Sequence, residues 1–342
     1  TPGYAFGVAV EGAYAYVADD DFGLQVVDVS DPENPAEVGS HDTPGYAYGV
    51  ALEGAYAYVA DGNAGLRVLD VSDPENPAEL GFYDTPGSAR DVVLVGANAY
   101  IADYDAGLRV VDVSDPEDPV EVGFWDTPDR AYTLTVAGNY AYIADYGAGL
   151  RIVDVSDPAT PVEVAHCDLP SSTRGVVVVG QFAFVSADKV RVIDIADPAN
   201  PVEISAYTVS GIGITASGSY GYLASPQFGL VVLDLAEPAA PHEIGAYDML
   251  DEVAAAAVAG SHAYLADGRG LRVVEVSAPT APVEVGSYDT PGSGADVAVV
   301  GNLAYVAAYW AGLRILDITD PTAPVEVGFS DMPDVAYGVV VA

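Results

Sequence analysis

The sequence predicts an all-β protein, an eight-bladed β-propeller with four antiparallel strands per blade, on three observations. A turn proline recurs at Pro32, Pro74, Pro116, Pro158, Pro198, Pro238, Pro279 and Pro321, at intervals of 42, 42, 42, 40, 40, 41 and 42 residues. Such a period marks a repeat architecture. Each copy holds four short apolar runs separated by turn residues, and none has helical spacing. The two central runs of each copy are apolar on both faces, as strands are when sandwiched between neighbouring blades. A two-layer sandwich would alternate apolar and polar positions instead. The blades are read as residues 1–42, 43–84, 85–126, 127–168, 169–208, 209–248, 249–289 and 290–331.

The second copy shows each element in order. Strand a is read over 49–52 and closes at Gly54. Strand b runs over 56–60 and is followed by the loop Asp61-Gly62-Asn63-Ala64-Gly65. Strand c covers 66–71, the turn Asp73-Pro74-Glu75-Asn76-Pro77 follows, and strand d covers 79–82. Asp-Pro and Asn-Pro start turns because proline fixes φ while the acid or amide bonds nearby backbone. Gly12, Gly54, Gly96, Gly138, Gly180, Gly218, Gly260 and Gly301 share the a–b turn, where a positive φ is expected. An aromatic centres strand b in every copy: Tyr16, Tyr58, Tyr100, Tyr142, Phe184, Tyr222, Tyr264 and Tyr305. Its presence in all copies favours packing between blades over a sugar-stacking platform.

Strand c carries Asp28, Asp70, Asp112, Asp154, Asp194, Asp234, Glu275 and Asp317, and an acid there needs a fixed hydrogen-bond partner. Six copies place an arginine three residues earlier: Arg67, Arg109, Arg151, Arg191, Arg272 and Arg314. Residues three apart on a strand face opposite sides, so the expected arginine–acid pair spans two blades. Strand d begins at Glu37, Glu79, Glu121, Glu163, Glu203, Glu243, Glu284 or Glu326, read as charge protecting an exposed edge. Residues 332–342 form a ninth copy of strand a, matching the opening of the chain. Ring closure is its favoured use, with an outward-displaced copy or donation to another molecule as alternatives.

Fifty-one acidic residues against eleven basic ones give a formal charge of −40, and Lys189 is the only lysine. That field repels phosphate backbones and anionic lipid, which excludes nucleic acid as a partner. No apolar run approaches the ~18 residues of a membrane span, so direct membrane insertion is not expected. A single cysteine, Cys167, excludes an internal disulfide framework.

The strand c texts Leu24-Gln-Val-Val-Asp28, Leu66-Arg-Val-Leu-Asp70, Leu150-Arg-Ile-Val-Asp154 and Leu313-Arg-Ile-Leu-Asp317, followed by Val-Ser-Asp-Pro or its variants, closely resemble the LVIVD repeat. The resemblance covers all eight copies. It implies a propeller from a family of bacterial and archaeal proteins that are largely secreted or surface-attached, and it implies no defined chemistry. Copies five to seven drift from the pattern, with Lys189 at the loop glycine and Ala278 at the turn aspartate.

No nucleophile elbow, zincin helix, phosphate loop or paired-cysteine motif is present, and no catalytic residue is assigned. The histidines His41, His166, His242 and His262 fall at four different repeat positions. The face bearing the b–c and d–a loops is the candidate site. Its acids Asp19, Asp21, Asp61, Asp103, Asp105 and Asp145 are candidate Ca²⁺ ligands, since clustered carboxylates and loop carbonyls suit that ion. A solvated acidic rim is the plainer account. Tyr104, Tyr146, Tyr309 and Trp310 are the candidate ligand-contacting aromatics on the same face. These features suggest a non-enzymatic extracellular or cell-surface scaffold or protein-interaction module. Its expected partners are further copies of itself, in a surface layer or filament, or other surface proteins. The alternative is a glycan- or ligand-binding propeller, with or without Ca²⁺.

Overall fold

The computed structural model describes residues 6–28, 36–170, 172–187, 189–207, 214–217, 219–225, 229–234, 242–248 and 253–330. Thirty-two strands form eight four-stranded sheets, each ordered a-b-c-d along the chain. The architecture is all-β, an eight-bladed β-propeller with antiparallel strands in every blade. Residues 332–342, the ninth strand a of the sequence, lie outside the described residues. Two compact units divide the chain. One comprises Tyr16–Val26 and Val38–Ala206; the other comprises Thr1–Ala15, Val27–Glu37 and Tyr207–Ala342.

Blade 2 shows how the repeat makes a sheet. Strand a (Gly49–Glu53) pairs with strand b (Tyr56–Ala60), which pairs with strand c (Leu66–Asp70), and c pairs with strand d (Ala78–Tyr83). The a–b turn needs Gly54 because its φ is +60°, a left-handed conformation that costs a side-chain-bearing residue ~1–2 kcal/mol. Six further turn glycines of this position have φ between 57° and 61°.

Within each unit the core is a series of layers between consecutive blades. Tyr58, Ala60, Leu66 and Val68 from one face of blade 2 meet Val92, Ala99, Ile101 and Val111 of blade 3. The other face of blade 3 sends Tyr100, Ala102, Leu108 and Val110 against Leu134, Ala141 and Ile143 of blade 4. Period-two alternation therefore feeds two cores from one strand, which is why strands b and c are apolar throughout. The strand b aromatics lie in these layers, between 0% and 5% exposed. They are packing groups and offer no platform to solvent.

The c–d pairs of blades 2, 3, 4, 6, 7 and 8 each contain a bulge: in blade 2, Val68 pairs with Gly81 while Leu69 pairs with Glu79, leaving Leu80 over. The bulge brings the glycine of strand d against the next blade. A methyl group on Gly81 would run into the Pro116 carbonyl of the following c–d turn, and Gly39, Gly123, Gly245 and Gly286 make the same approach. Blades 4 and 5 carry Ala165 and Ser205 at this position.

The arginine of strand c corrects the expected pairing. Arg67 does not reach across to an acid at the end of a neighbouring strand c. It stays in its own blade, with Nη2 2.7 Å from Asp84 and donating to the Ala64 carbonyl, Nη1 4.0 Å from Glu79 and Nε 3.9 Å from Asp61. Phe82, its cross-strand neighbour, lies 4.6 Å from the guanidinium. That stacking accounts for exposed Phe82, and Phe124 and Phe329 cover Arg109 and Arg314 in the same way. Asp70 has a local partner instead, accepting from the Ser72 amide at 2.8 Å. Equivalent amides serve Asp112, Asp154, Asp194 and Asp317. The hydroxyls of Ser72, Ser156 and Thr319 with their amides, and the Ser114 amide with its hydroxyl, hold Asp70, Asp154, Asp317 and Asp112 below the usual carboxylate range.

Strand d's glutamate is more than edge protection. The Tyr247 hydroxyl of blade 6 donates to Glu284 of blade 7 at 2.7 Å. Burial and that carboxylate push the Tyr247 phenol up to about 12. Tyr83 beside Glu121 and Tyr288 beside Glu326 are raised for the same reasons.

Candidate functional site

The acids proposed from the sequence as one rim separate into two kinds. Asp61 is fully buried; its Oδ1 accepts from the Thr43 hydroxyl at 2.5 Å and its Oδ2 from the Gly45 amide at 2.8 Å. Asp103 repeats this with Thr85 and Gly87. Asp145 accepts from the Asp129 amide at 3.2 Å and lies 3.6 Å from Arg151. These carboxylates fasten the d–a loop onto the b–c loop. Burial raises Asp61 and Asp103 to about 6, against the opposing pull of the hydroxyl and amide donors, and also raises Asp145. Asp19 is likewise buried, whereas Asp21 and Asp105 are exposed. Among the described residues, no group of three or more His, Cys, Asp or Glu side chains is gathered as a metal site. The six Ca²⁺ candidates are distributed over the b–c loops of four blades, and four of them are buried.

Later copies lose one or both halves of this fastener, and copy eight keeps Thr290 opposite Ala308. Leu169 and Ala187 replace the threonine and aspartate together in copy five. Asp267, without that threonine, turns to Arg272 at 2.8 Å.

The aromatic candidates fare differently. Residues just after the buried aspartate, or after Ala308 at that position in copy eight, adopt a left-handed backbone: Asp20 at φ 50°, Gly62 at 53°, Tyr104 at 46°, Tyr146 at 27° and Tyr309 at 48°. A tyrosine in this region is an outlier held by its surroundings. The hold is a two-bond bridge to the next blade: Tyr104 N–H donates to Ala131 O at 3.2 Å and Ala131 N–H to Tyr104 O at 3.0 Å. Asp20 with Ala47 and Gly62 with Ala89 repeat the bridge, and Thr173 N–H donates to Tyr146 O.

The residue following each bridge leads into strand a and is pinned to the end of strand b. Tyr48, Arg90, Tyr132 and Arg174 donate their amides to Ala60, Ala102, Ala144 and Ser186. Aromatic and arginine thus alternate over four consecutive copies on one face. The Arg90 guanidinium lies 4.1 Å from the Tyr48 ring and 4.8 Å from the Tyr104 ring. Tyr104 meets Tyr132 edge-on at 5.3 Å, and Tyr132 meets Tyr146 at 5.4 Å. Arg174 lies 5.9 Å from Tyr132 and 5.8 Å from Tyr146, and Arg130 sits 5.1 Å from Tyr104. Ser172 and Arg174 beside the Tyr146 hydroxyl hold its phenol below the usual tyrosine value.

Structure therefore unites Tyr104 and Tyr146 through Tyr132. Tyr309 and Trp310 stand on blade 8, the latter 60% exposed. Arg130 and Arg174 carry no signal in a single repeat. Setting aside the six strand c arginines would have found them, since only five other basic residues remain. The cysteine and histidines add no chemistry: burial first, then Glu203 and Asp168, pushes the Cys167 thiol up, and His166 contacts Glu163 at 3.3 Å on strand d.

Fold and site together define a repeat-built propeller that carries, among the described residues, a concentrated stack of tyrosines and arginines on its surface. The chain belongs to the LVIVD repeat family, whose model matches residues 2–43, 44–85, 86–127, 130–169, 170–209, 212–249, 253–290 and 291–331. No curated protein matches the chain at a significant level. Among solved structures, it is similar to the computationally designed Ika8 protein at 8% identity (TM-score 0.76), covering 92% of this chain and 96% of that one. BamB from Moraxella catarrhalis is similar at 12% identity (TM-score 0.68), with 88% and 90% covered. Sqt1 from Saccharomyces cerevisiae is similar at 8% identity (TM-score 0.70), with 92% and 93% covered. At these identities the likeness concerns the fold alone.

Proposed function

We propose that this chain is a non-catalytic protein-interaction propeller acting outside the cell or at its surface, with the tyrosine–arginine face of blades 2 to 5 as its contact surface. The observation that carries this reading is the stack itself. Three of the five basic residues not spent on strand c stand together among half-buried tyrosines, in a chain of net charge −40. Tyrosine and arginine are the residues enriched where proteins meet proteins. Inward-facing acids speak against a carboxylate reaction at this face, because Asp61 and Asp103 already accept from threonine and glycine donors. The family's association with secreted and surface-attached proteins supports the location.

A photo-cross-linker placed at Tyr132 in the source organism tests the reading, with one at exposed Val162 on the outer strand as control. A discrete protein adduct from position 132 and none from position 162 is expected. Equal adducts, or none from either position, would refute it.

A further inference from the structure

The six strand c arginines are each bonded to the chain's own acids or carbonyls, whereas two of the stacked arginines are not. Arg90 and Arg174 have no carboxylate within ion-pair distance among the described residues, in a chain with 51 acidic side chains. Their charge is met by ring faces, Tyr48 and Tyr104 for Arg90 and Tyr132 and Tyr146 for Arg174, and by the neutral phenols of Tyr48 and Tyr146, to which Arg90 and Arg174 respectively hydrogen-bond. The Arg90 Nε is buried and has no hydrogen-bond acceptor. A guanidinium covered on its faces keeps its N–H groups in the plane, and that edge matches a carboxylate.

Geometry also decides between ligand classes. A sugar stacks on an open ring face, but here Tyr48, Tyr104, Tyr132 and Tyr146 each have an arginine or another ring against them. An acidic polymer would meet the field of the whole chain before it met these two arginines. The immediate surroundings are acidic too. Burial, and then Asp20 against the opposing pull of Arg90, raises the Tyr48 phenol at one end, and Asp105 lies 3.3 Å from Arg130 beside Tyr104.

We infer that Arg90 and Arg174 anchor an aspartate or glutamate side chain of a partner protein, set within an otherwise basic segment. The carboxylate bonds the guanidinium edges while the flanking cations face Asp20 on one side and Asp105 on the other. Cations on both flanks place the carboxylate inside the segment and away from a chain terminus. This rests on the proposed interaction face and names what that face recognises.

The test is NMR on the full ¹⁵N-labelled chain, following the Nε–H signals of Arg90 and Arg174. The probe is the capped peptide Lys-Gly-Glu-Gly-Lys amide. Both signals should move, and Arg90→Gln or Arg174→Gln should weaken binding by about tenfold or more, as expected for loss of a charge-assisted bond. Arg269→Gln, on blade 7, should leave binding unchanged. Equal binding of the peptide with glutamine in place of glutamate overturns the inference, as do unmoved signals in the native chain. Tighter binding of a peptide whose only carboxylate is its C-terminus overturns the internal-carboxylate assignment, and tighter binding of oligogalacturonate reassigns the face to a glycan. A positive cross-link at Tyr132 that Arg90→Gln leaves intact would keep the interaction face and reject only the anchor.

Discussion

Raising the pH should loosen this protein through Asp61 and Asp103. Each is fully buried, and each is raised from an ordinary value of 3.8 to about 6. Between those values the folded chain holds protons that the unfolded chain has released, so stability falls as pH rises. Integrating that linkage from about pH 4.5 to about pH 7.5 gives a loss of roughly 2 kcal/mol per carboxylate, or about 4 kcal/mol for both. Repulsion among the exposed acids acts in the same direction, so a comparison of variants is needed to separate the two. Asn at either position keeps an acceptor for the Gly45 or Gly87 amide while removing the titration. Urea unfolding of the native chain and the Asp61→Asn, Asp103→Asn double variant at both pH values provides the assay. The variant should lose less stability on going to neutral pH, by a few kcal/mol. An identical pH slope in the two proteins would refute the argument. Below about pH 4 the trend reverses, because Asp70, Asp112 and Asp154 are held below their ordinary value and lose their amide bonds on protonation.

Further outcomes follow from the same geometry. Arg109→Met leaves Asp103, Glu121 and Asp126 without their shared cation, and should cost about 3 kcal/mol at neutral pH. That cost should shrink near pH ~5, where Asp103 takes up a proton, and a constant cost in denaturant titrations would contradict the assignment. Tyr58→Ala empties a site 2% exposed between blades 2 and 3 and should cost about 3–5 kcal/mol in the same assay. Tyr247→Phe leaves Glu284 without its donor and should cost about 1 kcal/mol. It should also remove the phenol that ionises last in an absorbance titration, since Tyr247 is raised to about 12. If the last phenol persists, Tyr247 is not the raised group.

Legibility varied with how local each interaction is. The a–b glycines, the Asp-Pro turns and the alternation of strands b and c act over a few residues and recur eight times, so the propeller could be read directly. Partner choice could not. Arg67 and Asp70 share a strand, and sequence spacing placed the arginine's acid on another blade. The bulge at Leu80 and the fold of two loops instead bring Glu79, Asp84 and Asp61 to it within the same blade. Likewise Asp61 and Asp105 look alike as loop acids, yet one is sealed under Thr43 and the other faces solvent.

The sequence alone determined the blade, its strand order and the aromatic interior, because turn chemistry and hydrophobic period are properties of short segments. Tertiary structure alone decided which charges are structural and which are displayed. Tyr48, Arg90, Tyr104, Tyr132 and Arg174 lie on different blades, and inter-blade bridges through left-handed residues bring them into one stack. Such a juxtaposition depends on how one blade docks on the next, and no single repeat encodes it.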